Sequence, residues 1–379
     1  MDKLKSGIGE VRMIPVSRPY FPAGSLKYAH AALDSSWVSS RGKYLEMVKE
    51  ILWDYWDTPY IILTSSGTAA VHLVARALKA KYPHIYNIWC PNNVYVAAWN
   101  GFVFEDYNLI PVDAKLETWN ANIFHIQPRD CDAILAVHNL GNPINVPELR
   151  KHFPNTPIVE DACEAFGGTY SGRIIGTASD AFAMSFFGNK NLTSGEGGAF
   201  VTYDPFMYEK ALRYWGQGVD QDSTVRFVHA EIGHNYRMTN VEAAILYGQL
   251  KLRVEIAERK SLVFEKYREK LGHLVGDIFF QGWEHMTRHS NWMFGIRIPK
   301  QKGYEQAERF FNDNDIEVRP MFYPITRQNH LARFHGGTHK NAETLSRECV
   351  ILPSSTNLSD EEQDFIVGKV EEYAKYLVR

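Results

Sequence analysis

PYIILTSSGTAAVHLVARALKAK, residues 59–81, is the stretch from which the architecture follows. An apolar run, Ile61–Leu63, stops at Ser65, Ser66, Gly67 and Thr68. Val71, Val74, Ala75 and Leu78 then recur at helical spacing, so the stretch reads as a strand, a turn and a helix. Further short apolar runs follow, separated by turn residues and helical stretches: NIWC (87–90), LIPVD (109–113), AILAVH (133–138), PIVEDA (157–162), DAFAMSFF (180–187) and GGAFVTY (197–203). Many lack polar–apolar alternation, as strands do when helices cover both their faces. The pattern predicts an α/β domain around a mostly parallel sheet, with helical signals also at SLKYAHAALDSS (25–36), before a Ser/Gly-rich turn WVSSRGKY, and at TNVEAAILYGQLKL (239–252).

Outside this region the texture differs. Residues 1–12 read as a loosely held leader, and residues 13–252 as the large domain. From residue 253 a charged helical segment leads into WMFGIRIP, a helix at YEQAERFFNDND and a strand-like IEVRPMFYP, so that 253–379 reads as a smaller α+β domain. The last helix is expected to start after Ser359, with Glu362 completing a capping box. Its apolar face is Phe365, Ile366, Val370, Tyr373, Ala374 and Leu377. A formal net charge of -3 over 379 residues argues against nucleic acid or an anionic membrane as a partner. The four cysteines, Cys90, Cys131, Cys163 and Cys349, form no CxxC pair and read as free thiols rather than disulfides or zinc ligands. No stretch has the length of a signal peptide's or a membrane helix's apolar run. These features place the protein in the cytosol.

Four motifs carry candidate chemistry. In FFGNKNLTSGEGGAF (186–200), Lys190 stands between a buried strand and a Gly-rich turn. An amine desolvated there is a usable nucleophile; a solvated surface lysine is the competing reading. In VEDACEAFGG (159–168) the strand ends in Glu160 and Asp161, where ligands of parallel sheets bind. Asp161 fits either a helix N-cap or the partner of a pyridinium nitrogen. In TSSGTAAVH (64–72), Gly67 and Thr68 open a helix whose N–H groups suit a phosphate or need only a cap. Ser185 offers a second hydroxyl for the same phosphate. In PNNVYVAAW (91–99), Tyr95 either stacks on a flat ring or merely packs. Among the remaining residues, Arg319 fits a substrate contact and a structural ion pair equally, with His330 and Arg327 nearby in sequence, and His138 reads as a satisfied core histidine.

The order of these motifs, and long gapless words such as SSGTAAVHL, AVHNLGNP, VEDACEAFGGTYSG, GTASDAFAMSFFGNK, GHNYRMTNVEAA, VRPMFYP and LPSSTNLSDEE, resemble the fold-type I, pyridoxal-phosphate (PLP) dependent sugar aminotransferases of the DegT/StrS family over nearly the whole chain. The resemblance implies that Lys190 is the lysine joined covalently to PLP and that Asp161 pairs with its ring nitrogen. It puts Glu164 near the ring hydroxyl, where the family commonly has His or Gln, so Glu is a departure or a minority choice. Gly67, Thr68 and Ser185 correspond to the phosphate cradle and Tyr95 to the stacking aromatic. Asn235 corresponds to an asparagine that reaches the neighbouring subunit's cofactor phosphate, which implies a homodimer with shared active sites. Arg319 and His330 are the candidate substrate contacts. Some relatives carry His for the lysine and act as dehydratases; Lys190 argues against that here. FGNKNLTSGEGG and RPMFYP are most similar to the subgroup that aminates C-4 of a nucleotide-linked 4-keto-6-deoxysugar, such as the GDP-perosamine synthases, with an amino acid donor expected to be glutamate. Amination of a 3-keto-sugar or cyclic ketone is a second reading. A non-catalytic PLP-binding regulator is a third, though the chain has no DNA-binding segment or basic stripe. A dinucleotide oxidoreductase lacks its GxGxxG turn.

Overall fold

The structure, a computed structural model, describes residues 13–127, 131–220 and 223–378; the leader read at 1–12 lies outside them. Its centre is a seven-stranded sheet in the spatial order Ile61–Thr64, Gly198–Thr202, Ala181–Ser185, Ile158–Asp161, Ala133–Val137, Asn87–Pro91, Asn108–Val112. The five strands from Ala181–Ser185 to Asn108–Val112 pair in parallel. Gly198–Thr202 runs antiparallel to both of its neighbours. Side chains alternate between two apolar layers because successive Cβ atoms point to opposite faces. Leu63, Ile134, Ile158 and Met184 enter one layer, while Ile62, Leu135, Val159 and Ala183 enter the other. Burial on both faces is why these strands carry no polar alternation.

The helix Gly67–Lys81 is sunk in one of these layers. Ten of its residues, from Gly67 to Leu78, are buried, and its last turn carries the basic residues Lys79 and Lys81. Lysines there complement the helix dipole, and Lys81 is further held by Asp204 at 2.5 Å. A helix not anticipated from the sequence, Lys43–Trp56, covers the other layer. Its buried residues Tyr44, Val48, Leu52 and Trp56 are four apart, which puts them on one face.

The C-terminal part builds a second sheet, antiparallel throughout, in the order Phe279–Phe280, Phe294–Arg297, Cys349–Leu352, Arg319–Pro320. The helices Arg253–Leu271, Tyr304–Asn312 and Asp360–Val378 pack over its apolar core. The chain enters through this part: Ile14 N–H donates to Asp315 O at 2.7 Å and Ser354 N–H to Val16 O at 2.9 Å. The capping box at Ser359 forms in both directions, each bond 3.1 Å. Of the apolar face read for the last helix, Ile366, Val370, Tyr373 and Ala374 are buried, but Phe365 is 44% exposed and lies off the core side. The strand-like IEVRPMFYP pairs only at Arg319–Pro320. Pro320 and Pro324 supply no ladder N–H, and the following residues leave the sheet to line a cavity. No helix among the described residues is long and apolar enough to cross a membrane.

Candidate active site

A cavity of about 610 Å³ opens where the parallel strands end, the place such sheets present to ligands. Gly67, Thr68, Tyr95, Asp161, Glu164, Ser185, Lys190 and Arg319, all named from the sequence, line it. His330 does not. It is exposed on an outer turn, its Nε2 3.1 Å from Asn100 Oδ1. Arg327 is exposed too and pairs with Glu343. Asn235 is exposed in a strap where it bridges Gly216, outside the lining.

At one end is the start of the helix Gly67–Lys81. Ser66 caps it, its Oγ accepting from Ala69 N–H at 3.1 Å, and the helical ladder begins with Ala70 N–H on Ser66 O. The N–H groups of Gly67 and Thr68 precede that ladder, and an anion is favoured there. A Cβ on Gly67 would stand 2.6 Å from Ser185 Cβ and 2.9 Å from its Oγ, so only glycine lets the helix start approach the Ser185 hydroxyl.

The acids follow from strand geometry. Glu160 and Asp161 are consecutive and so face opposite sides of the sheet. Glu160 is wholly buried, with His138 Nε2 2.7 Å from Oε2 and Tyr170 OH donating to Oε1 at 3.1 Å. His138 Nδ1 accepts from Ile144 N–H at 3.0 Å, so the ring is the satisfied core histidine that its sequence position suggested. Asp161 lies on the cavity side. No helix follows it to be capped; its Oδ1 instead accepts from Cys163 N–H at 3.0 Å, in a turn of the Asx type.

Glu164 is the electrostatically unusual group. Its Oε2 accepts from Leu140 N–H at 2.8 Å, which leaves Oε1 4.0 Å from Lys190 Nζ. Burial, opposed by the Lys190 charge and reinforced by Asp161, pushes its carboxyl up to about 7. Burial likewise holds the Cys163 thiol well above its ordinary range, so it stays protonated. Lys190 stands on a turn closed by its own N–H to Phe187 O at 2.9 Å. Its Nζ faces the ring of Trp292, 3.8 Å from the centroid. Trp292 had no distinguishing mark in the sequence beyond heading the apolar run WMFGIRIP.

The far wall comes from the C-terminal part: Arg319, Phe322, Tyr323 and Gln328 line it with Trp292. Arg319 forms the ion pair its sequence allowed, with Glu317 at 3.1 Å, and lines the cavity. Tyr95 is 59% exposed with its ring 6.0 Å from that of Phe322. These features fit PLP: an anion-binding helix start backed by a hydroxyl, two acids, an aromatic face and a lysine in one cavity.

The model of the DegT/DnrJ/EryC1/StrS aminotransferase family matches residues 22–371. The chain is 32% identical over 376 residues to a GDP-perosamine synthase of Escherichia coli O157:H7, covering 96% of this chain and 99% of that one. Among solved structures it resembles the aminotransferase TlmJ from Streptoalloteichus hindustanus, with a TM-score of 0.87 at 22% identity over 97% of this chain and 100% of that one. It also resembles the PLP form of the putative sugar aminotransferase Spr1654 from Streptococcus pneumoniae, with a TM-score of 0.86 at 20% identity over 96% of this chain and 99% of that one.

Proposed function

This chain belongs to the DegT/DnrJ/EryC1/StrS aminotransferase family, and we propose that it transfers an amino group from an amino acid, glutamate, to the keto group of a nucleotide-linked 4-keto-6-deoxysugar. It is a PLP-dependent aminotransferase. When bound, PLP supplies an aldehyde that exchanges amines and a ring that accepts the electron pair released at the donor's α-carbon. The observation that carries the reading is the meeting of Lys190, Asp161 and Glu164 with the helix start at Gly67 in one cavity.

In this reading Gly67, Thr68 and Ser185 bind the phosphate and Tyr95 covers the ring face. Asp161 keeps a ring nitrogen protonated, and Glu164 meets the ring hydroxyl. Lys190 Nζ is the covalent anchor; once its amine is free it moves the proton at the α-carbon as general acid and base. Arg319 and the residues around it line the cavity wall contributed by the C-terminal part, where a sugar nucleotide would enter. The 32% identity to a GDP-perosamine synthase supports the C-4 amination of a GDP-linked sugar over a 3-keto-sugar or cyclic ketone.

We further propose a homodimer with shared sites, Asn235 reaching the partner's phosphate. The strap that carries Asn235 supports this: Val225, Phe227 and Ile232 on it are 64%, 88% and 83% exposed, more apolar surface than a monomer keeps without reason. The chain divides into working units at 252/253, with residues 14–18 crossing onto the second, and its free thiols suit the cytosol.

The test is to incubate the protein with PLP, glutamate and a panel of GDP-, UDP- and dTDP-linked 3- and 4-keto-sugars and to weigh the products. Conversion of the GDP-linked 4-keto-6-deoxysugar to its amine is expected. Conversion of a 3-keto-sugar alone would overturn the substrate assignment. Borohydride reduction followed by peptide mapping should find the cofactor on Lys190, and a map that puts it elsewhere overturns the site.

A further inference from the structure

The segment that carries Trp292 crosses between the two parts of the molecule and is tied to both. Ser290 N–H donates to Gly141 O at 2.9 Å and its Oγ to Glu164 O at 2.9 Å, on the side of the large sheet. On the other side, Asn291 Nδ2 donates to Ser261 Oγ at 3.1 Å and Lys260 Nζ to Trp292 O at 2.6 Å. Lys260 also donates to Ser354 O. Asn291 takes φ +58° to make the crossing.

Two features of this arrangement are not explained by packing. Trp292 is registered to Lys190 twice: its ring faces Nζ at 3.8 Å, and its indole N–H donates to the carbonyl of the preceding residue, Asn189, at 2.8 Å. Lys260 is 4% exposed, and among the described residues it has no carboxylate in ion-pair reach; its bonds go to carbonyls. Burial pushes its ammonium down to about 7. An apolar side chain would avoid that penalty, so the donors of Lys260 are the part that matters here. Lys260 and Lys190 also line the same small polar crevice, together with Asn189 and Ser354.

We propose that Trp292 holds the Lys190 amine at its working position whenever that amine is not bound to cofactor, and that Lys260 is a positioning residue that acts by fixing the Trp292 carbonyl. The inference rests on the reading of Lys190 as the exchanging lysine. A lysine side chain has four rotatable bonds, and its amine must remain beside the α-carbon after it is displaced. The Trp292 ring face attracts an ammonium, Glu164 Oε1 lies 4.0 Å away, and both are fixed by hydrogen bonds of their own. The amine is therefore kept by two neighbours that do not move with it.

The test labels Lys190 in the full-length, PLP-free enzyme with trinitrobenzenesulfonate and follows the rate at that residue by peptide mass mapping. W292L is expected to raise the rate roughly 2- to 30-fold, the span that a cation–π contact of about 0.5–2 kcal/mol gives at about 1.4 kcal/mol per tenfold. W292F should raise it less. K260M should raise it comparably, K260R should restore the wild-type rate, and K260M should add nothing in a W292L background. Wild-type rates in both Trp292 variants overturn the holding role. Additive effects of W292L and K260M, or a K260R variant as fast as K260M, overturn the route through Trp292. If W292L does not fold, W292F decides the holding role; if K260M does not fold, K260Q, whose side chain ends one atom short of the lysine amine, should raise the rate in its place, and a wild-type rate in K260Q overturns the route through Trp292. Borohydride mapping of the wild-type enzyme with PLP separates the failures: an adduct away from position 190 defeats the underlying reading, while an adduct at Lys190 with unmoved labelling rates defeats only this inference.

Discussion

Replacing Glu164 by glutamine should change how the stability of the PLP-free enzyme depends on pH. The carboxyl is buried against the Leu140 N–H, with Lys190 on one side and Asp161 nearby, and it stands at about 7 against an ordinary 4.5. Between those values the unfolded chain has released the Glu164 proton while the native protein still holds it. The native state binds more protons there, so its stability is full below about pH 4.5 and falls as pH rises towards 7. At about 1.4 kcal/mol for each tenfold, the loss is about 3 kcal/mol between about pH 4.5 and about pH 8. Glutamine keeps the size of the side chain but does not titrate. Urea unfolding of wild type and E164Q at several pH values isolates the contribution, because the other titrating groups are common to both. The E164Q curve should stay about 3 kcal/mol flatter over this interval. Parallel curves would refute the reasoning, since Glu164 would then ionise alike in the folded and unfolded chain. The functional counterpart is that a carboxyl balanced near neutrality can donate to an oxyanion or accept from a hydroxyl, as the proposed place beside the ring hydroxyl requires.

Other perturbations have equally definite outcomes. K190A should abolish the borohydride-trapped adduct and lower amino transfer by at least about 100-fold, measured by product mass. G67A places a methyl 2.6 Å from Ser185 Cβ; overpacking of about 1–3 kcal/mol should weaken PLP binding roughly 5- to 150-fold in a spectroscopic titration. H138L leaves Glu160 buried without its histidine and should cost roughly 3–5 kcal/mol in urea unfolding, whereas a loss below about 1 kcal/mol would show that the pair is dispensable. For Lys260, whose ammonium is pushed down to about 7 from 10.5, the unfolded chain binds the extra proton between those values. Stability should therefore rise with pH through that window in the wild type more than in K260M, again read by urea unfolding.

Much of the fold was legible because burial on both faces leaves a plain mark, the short apolar run without alternation. The helix Lys43–Trp56 was equally marked, by Tyr44, Val48, Leu52 and Trp56 at intervals of four, but it follows directly on a turn-rich stretch that drew the reading. IEVRPMFYP misled through composition: its β-formers suggest a strand, while its prolines let only Arg319 and Pro320 join the ladder. Within the site, the residues that stand at strand ends and helix starts could be named because their position follows from local structure. Trp292 could not, since its contact with Lys190 depends on a crossing between the two halves. His330 shows the converse, with closeness to Arg319 in sequence but a side chain on the outer surface.

The pair Glu160–Asp161 explains how one strand serves both stability and chemistry. Two adjacent carboxylates at a strand end look interchangeable in sequence. The alternation of the strand separates them. Glu160 turns into the interior, where it is 0% exposed and both oxygens are met, by His138 and by Tyr170. Tyr170 in turn accepts from Gly176 N–H at 2.8 Å and Ala178 N–H at 3.2 Å, so the acid is coupled to the backbone of the next loop. Asp161 turns to the cavity and spends one oxygen on Cys163 N–H, which fixes its direction. A buried carboxylate that lost its partners would swing or draw in water and shift the strand end beneath Asp161. The satisfied acid thus steadies the neighbouring one, and a carboxylate held in place at a strand end suits the role proposed for Asp161, keeping a ring nitrogen charged.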